Sequence, residues 1–189
     1  MKHLSLPASR SLLAPLAAVV LLFGAALPAS ADWKPDGMFV EGAVAEHSTY
    51  AATVGVNWNW SLKRQFWGGE WTGTTEAFVS HWNAKGASGR EGYTLAGLAP
   101  LLRYRFGNGS SPWFLEGGIG LSVLDSKFIT PNKNMSTEFN FYDVLAAGRS
   151  FGTERNQEVS LRVTHLSNAG IKKPNPGENF LQLRYGWRF

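Results

Sequence analysis

The chain has 189 residues, a formal net charge of +4, no cysteine, and 8 Trp, 12 Phe and 5 Tyr. That length suits one domain, and the lack of Cys excludes a disulfide-stapled design. Basic residues never run longer than a pair, so nucleic acid is not an expected partner.

Residues 1–31 read as a cleaved signal peptide. Lys2 and Arg10 give a positive start, residues 12–27 are nearly all apolar, and Ala29-Ser30-Ala31 is a small-residue cleavage site. A membrane anchor is the competing reading, but the apolar run is short and ends at that site. Export leaves residues 32–189 as the folded domain. Beyond Ala31 no apolar run reaches about 18 residues, which excludes a transmembrane helix. The 21 Gly, many inside strand-like segments, and the aromatic load fit a β-barrel with aromatic girdles.

Eight strands are predicted. Residues 38–46 alternate Met38, Val40, Gly42 and Val44 against Phe39, Glu41 and Ala43. After a short turn at His47-Ser48, residues 49–60 set Ala52, Val54, Val56, Trp58 and Trp60 against Thr53, Gly55, Asn57 and Asn59. Residues 61–69 read as a turn, 70–82 as the third strand and 83–90 as a loop. The long fourth strand, 91–106, slips near Pro100, which suggests a bulge. Gly107-Asn108-Gly109-Ser110 is a tight turn, and 113–123 is the fifth strand. A polar loop over 124–136 leads to the sixth strand, 137–150, the least clear of the set. Residues 157–167 and 179–189 are the last two.

The final strand decides the class. Leu181, Leu183, Tyr185, Trp187 and Phe189 face one way, and Gln182, Arg184, Gly186 and Arg188 the other. An apolar outside and a polar inside are what lipid solvation demands. The fold class is therefore all-β, an eight-stranded antiparallel transmembrane β-barrel of the bacterial outer membrane. A soluble lipocalin-like barrel would put Arg103, Arg162 and Arg184 outside instead, and would struggle to house 8 Trp. Eight strands leave room only for side chains, so Glu41, Glu76, Glu116, Arg103, Arg162 and Arg184 are expected as a paired, nearly dry interior. With both termini periplasmic, the longer loops fall on the outer side.

The seventh strand carries the chemistry. Val159, Leu161 and Val163 make its apolar face, and His165 and Ser167 continue that face rather than the polar one of Ser160, Arg162 and Thr164. Two positions apart on a strand puts them roughly 6.5–7 Å apart at Cα. Ser167 is a candidate nucleophile and His165 its base. The Asn168 amide and the Gly170 N–H are candidate oxyanion donors, and Glu178 could orient His165 if the Pro/Gly-rich loop 169–177 folds back. Alone, a His-x-Ser pair is common. His47 reads as a solvated turn residue and His81 as a girdle residue. No His/Asp/Glu cluster has metal-ligand spacing, and no cofactor is expected.

The run His165-Leu166-Ser167-Asn168-Ala169-Gly170, followed by Pro174-Asn175-Pro176-Gly177-Glu178, resembles the C-terminal region of the lipid A 3-O-deacylases of the PagL type. The resemblance implies an outer-membrane serine esterase that removes the 3-position acyl chain of lipid A in the outer leaflet, without a metal. Ser167 matches the nucleophile, His165 the base, Asn168 and Gly170 the oxyanion hole, and Glu178 the acid. In that pattern the acid can fall one residue further on, which here is Asn179. The implied partners are lipopolysaccharide as substrate and the surrounding membrane lipids; a homodimer is compatible with the same reading. Two rivals remain. An outer-membrane phospholipase A also uses a His-x-Ser pair, oriented by an Asn, a part Asn179 could play, but on a larger calcium-dependent barrel. A small structural or adhesin-like barrel would need no catalytic residues.

Overall fold

The computed structural model describes residues 33–189, so the expected signal peptide lies outside the described residues. Eight strands follow in order: β1 Gly37–Ala45, β2 Thr49–Phe66, β3 Gly69–Lys85, β4 Arg90–Phe106, β5 Trp113–Leu124, β6 Phe139–Phe151, β7 Gln157–Ser167 and β8 Glu178–Arg188. Each pairs antiparallel with the next, and β8 pairs back onto β1 from Ala45↔Phe180 to Gly37↔Arg188, closing the barrel. Closure leaves no unpaired edge, the condition for crossing a bilayer with strands.

Alternation sets inside and outside as expected. Val54, Leu98, Leu121, Leu145, Leu161 and Leu183 stand on the outer surface. The interior is a charge lattice. Arg162 reaches Glu76 at 2.9 Å, Glu116 at 2.7 Å and Glu41 at 3.3 Å, and Arg184 reaches Glu76 at 2.7 Å. Arg103 bridges Glu116 and Glu158 at 2.7 and 2.6 Å. Pairing carboxylates against guanidiniums offsets the desolvation of both. Above this layer Trp82 turns inward and packs its ring on Phe128 and Phe180. At the other end a cavity of about 360 Å³ opens between the Arg103, Arg105 and Arg184 side and Asn57 to Lys63, so the interior is filled at its centre but not at that mouth.

The strands run longer than the sequence suggested. β2 continues to Phe66, and the predicted turn over 61–69 shrinks to Trp67-Gly68. The irregularity sits in β2, where the register shifts between Asn59 and Lys63. No bulge occurs at Pro100: its register with β3 is unbroken at Thr75↔Pro100. The missing proline N–H falls on the β5 side, where pairing lapses between Leu98↔Leu121 and Leu101↔Gly118. Gly118 lets the two backbones close there, since a Cβ on it would stand 2.1 Å from the Pro100 carbonyl oxygen. The connection after β3 is only 86–89, so the long loops on that rim are 125–138 and 168–177.

Candidate active site

β7 delivers the two candidate groups to the outer wall. Its outward residues Val159, Leu161 and Val163 are exposed, and His165 and Ser167 follow them half-buried on the same face. His165 is the register partner of Asp143 on β6 and of Asn179 on β8, and Ser167 is that of Phe141. One row across three strands therefore reads Asp143, His165, Asn179, just below the rim where β7 ends.

Asn179 holds the imidazole. Its Oδ1 lies 2.7 Å from His165 Nδ1. A carbonyl oxygen can only accept, so Nδ1 carries the proton and Nε2 keeps the lone pair of a base. Gly177 closes over the same ring with φ of +67°, and a Cβ there would stand 2.6 Å from His165 Cε1. The loop can approach this closely because position 177 has no side chain.

Glu178 is not beside His165. β8 starts at Glu178, which pairs with Leu166 and points into the barrel, 1% exposed. There it binds Lys133 Nζ at 2.8 Å. Because successive strand residues alternate faces, placing Glu178 inside places Asn179 outside. The acid expected to orient His165 is thus on the wrong side of the wall, and the neutral residue after it takes that position.

The two expected oxyanion donors are both committed. Asn168 is 1% exposed, and its Nδ2 donates to Ser136 Oγ, Thr137 Oγ1 and the Lys172 carbonyl oxygen at 3.1, 3.1 and 2.9 Å. Its Oδ1 accepts the Gly170 N–H at 2.9 Å. Ser136 also donates from Oγ to the Lys172 carbonyl and from N to that of Pro174. Asn168 is therefore a clasp between loops 125–138 and 168–177, not an amide aimed outward beside Ser167. Ala169, with φ of +52°, lies between them, and its N–H takes part in no described hydrogen bond.

Two further residues escaped the sequence reading. Asp143 is on the strand with the weakest alternation, and Gly177 reads as an ordinary turn glycine. His81 is exposed on the outer face against Thr94 Oγ1 at 3.3 Å, away from this row. Among the described residues no group of three His, Cys, Asp or Glu could hold a metal ion.

Known proteins are similar to this chain in sequence and in fold. The family model of lipid A 3-O-deacylase (PagL) matches residues 50–188. The lipid A deacylase PagL of Pseudomonas aeruginosa is 32% identical over 135 residues, covering 70% of this chain and 74% of its own. That of Bordetella bronchiseptica is 31% identical over 182 residues, covering 93% and 96%. The crystal structure of the outer membrane enzyme PagL superposes with a TM-score of 0.70 at 29% identity, covering 81% of this chain and 99% of that one. A closed eight-stranded barrel with a His and a Ser on its lipid-facing wall, matched over most of its length, belongs to the lipid A 3-O-deacylase (PagL) family.

Proposed function

We propose that this chain hydrolyses the ester linking the 3-position acyl chain to lipid A, with Ser167 as nucleophile, His165 as base and Asn179 as the residue that orients the base. The observation that carries this reading is the 2.7 Å contact between His165 Nδ1 and Asn179 Oδ1 on the lipid-facing side. The ester of a lipid lying along the barrel wall meets that face directly.

The chemistry follows from the placement. Ser167 Oγ attacks the ester carbonyl carbon as its proton passes to His165 Nε2. The tetrahedral intermediate collapses, the ester C–O bond breaks, and Nε2 returns the proton to the departing sugar oxygen. Water then repeats the cycle on the acyl-enzyme and releases the fatty acid. The turn after Ser167 offers the Ala169 N–H as the oxyanion donor, while the Gly170 N–H is held by Asn168 Oδ1 at 2.9 Å. Asn168 shapes that turn through its bonds to the neighbouring loop.

The test is fatty-acid release from purified lipid A by the full chain in detergent, read by mass spectrometry, with phospholipid run in parallel. Release of the 3-linked chain that disappears in Ser167→Ala supports the reading. Release from phospholipid alone would assign the site to a phospholipase, and release undiminished in Ser167→Ala would refute the nucleophile.

A further inference from the structure

Asn179 fixes the tautomer of His165 but brings no charge to it. When His165 takes the Ser167 proton, an imidazolium forms on a lipid-facing wall, where a bare cation is costly. A Ser-His-acid site meets that cost with the carboxylate of its third member. Here the only acid next to Asn179, Glu178, is inside the barrel and spent on Lys133.

Asp143 stands one strand away on the other side. It is the register partner of His165, and both are half-buried on the outer face. Directly opposed strand residues have Cβ atoms about 4.5–5.5 Å apart. Of the other carboxylates on the eight strands, Glu41, Glu76, Glu116, Glu158 and Glu178 are buried inside, while Glu70 and Glu91, at strand ends, are bound to Lys63 and to the Tyr93 hydroxyl. Asp143 is turned outward instead, between Phe141 and Leu145 along its own strand. Among the described residues its side chain makes no hydrogen bond and no salt bridge, and the ring it faces across the ladder is that of His165. An ionisable residue in such a place calls for a functional account.

The groups around the imidazole are few. Asp143 faces it from β6, Asn179 from β8, Ser167 lies on its own strand, and Gly177 closes over it. Lys172 and Lys173 are in the exposed loop, and the Lys133–Glu178 pair is on the inner side.

We propose that Asp143 supplies the negative charge that stabilises the His165 imidazolium, so that the work of one triad acid is divided between Asn179, which orients, and Asp143, which neutralises. Asp143 is then a positioning residue acting through His165. This inference rests on the Ser167–His165 reading above.

The experiment compares the full chain with Asp143→Asn, Asp143→Glu, and Asp143→Asn combined with Asn179→Asp, each on purified lipid A beside Ser167→Ala. Asparagine is isosteric and sits on the wall surface, so the barrel stays folded, as far-UV circular dichroism will check. Two unit charges about 5 Å apart at an effective dielectric near 20 translate into a loss on the order of 100-fold in kcat for Asp143→Asn, with KM nearly unchanged. Asp143→Glu keeps most of the rate. In the double variant the charge returns from β8, and kcat recovers by roughly tenfold or more. A merely structural Asp143 would give no such recovery. Full activity in Asp143→Asn beside an inactive Ser167→Ala overturns this inference and leaves the Ser167 reading standing. Equal kcat in Asp143→Asn and the double variant also overturns it. Full activity in Ser167→Ala overturns both.

Discussion

Replacing Asn179 by Ala removes one hydrogen bond, 2.7 Å long, between the amide oxygen and His165 Nδ1. In the resting enzyme that bond joins two neutral groups. In the transition state the ring is becoming an imidazolium, and the same bond becomes charge-assisted. Hydrogen bonds to charged groups contribute about 1.5–3 kcal/mol, which corresponds to roughly 10- to 150-fold in kcat. The loss should fall on kcat more than on KM, because the bond strengthens as the proton moves. Glu178→Ala is the matched control. Its carboxylate binds Lys133 on the far side of the wall and touches His165 at no point. Its one link to the site is through the Asn179 backbone N–H, which donates to Glu178 Oε1 at 3.2 Å. Its kcat should stay within about threefold of the parent, since no interaction made only in the transition state is lost. The assay is initial-rate fatty-acid release from lipid A in detergent, on variants shown to be folded. Asn179→Ala within about twofold of the parent, or Glu178→Ala as damaged as Asn179→Ala, would refute the assignment of the orienting role to the outward residue.

Two other outcomes follow from the barrel. Arg162→Ala leaves Glu41 with Arg184 alone, at 3.6 Å, and takes one guanidinium partner each from Glu76 and Glu116, inside a closed wall where Arg162 is 1% exposed. Breaking one partner out of a buried ionic group costs about 3–5 kcal/mol, readable as a lower urea midpoint by Trp fluorescence in detergent, and a change below about 1 kcal/mol would contradict the lattice. Lys172 and Lys173 are exposed in the loop over the site, and lipid A carries phosphates. Each Lys near an anionic surface contributes about 1 kcal/mol, so Lys172→Ala/Lys173→Ala should raise KM at low salt and flatten its salt dependence; an unchanged salt profile sinks the idea.

Period-2 alternation made most of the architecture legible. Strand count, the outward aliphatics and the inward Arg and Glu all follow from that one rule, because a bilayer penalises the opposite arrangement along every strand. Termini of strands were less legible. Lys63 and Arg64 look like turn residues, yet β2 carries them beyond a register shift, paired with Thr72 and Trp71. Pro100 looked like a break because it interrupts a ladder, but only its β5 side is interrupted. The same holds for the start of β8: Glu178 reads as the last residue of the loop, whereas the strand begins at it and turns it inward. A usable signal was nonetheless present. Leu181, Leu183 and Tyr185 are outward, so their parity already put Asn179 outward, on the side of His165. Asn168 was illegible for another reason: its partners Ser136 and Thr137 come from a distant loop whose docking no local pattern announces.

The placement of charge follows from where the reaction occurs. A carboxylate at position 179 as well as at 143 would put two anions on the outer wall, one on either side of a single ring. An amide at position 179 holds the same tautomer at lower desolvation cost. The charge that the imidazolium needs can then stand across the strand ladder at Asp143, near enough to act through about 5 Å yet not consumed in the orienting bond. Orientation needs short, directional contact, which a neutral acceptor provides. Neutralisation needs proximity only. A barrel wall, whose neighbouring strands present one residue each to either side of His165, can separate those two requirements, and in the proposed site they fall on β8 and β6.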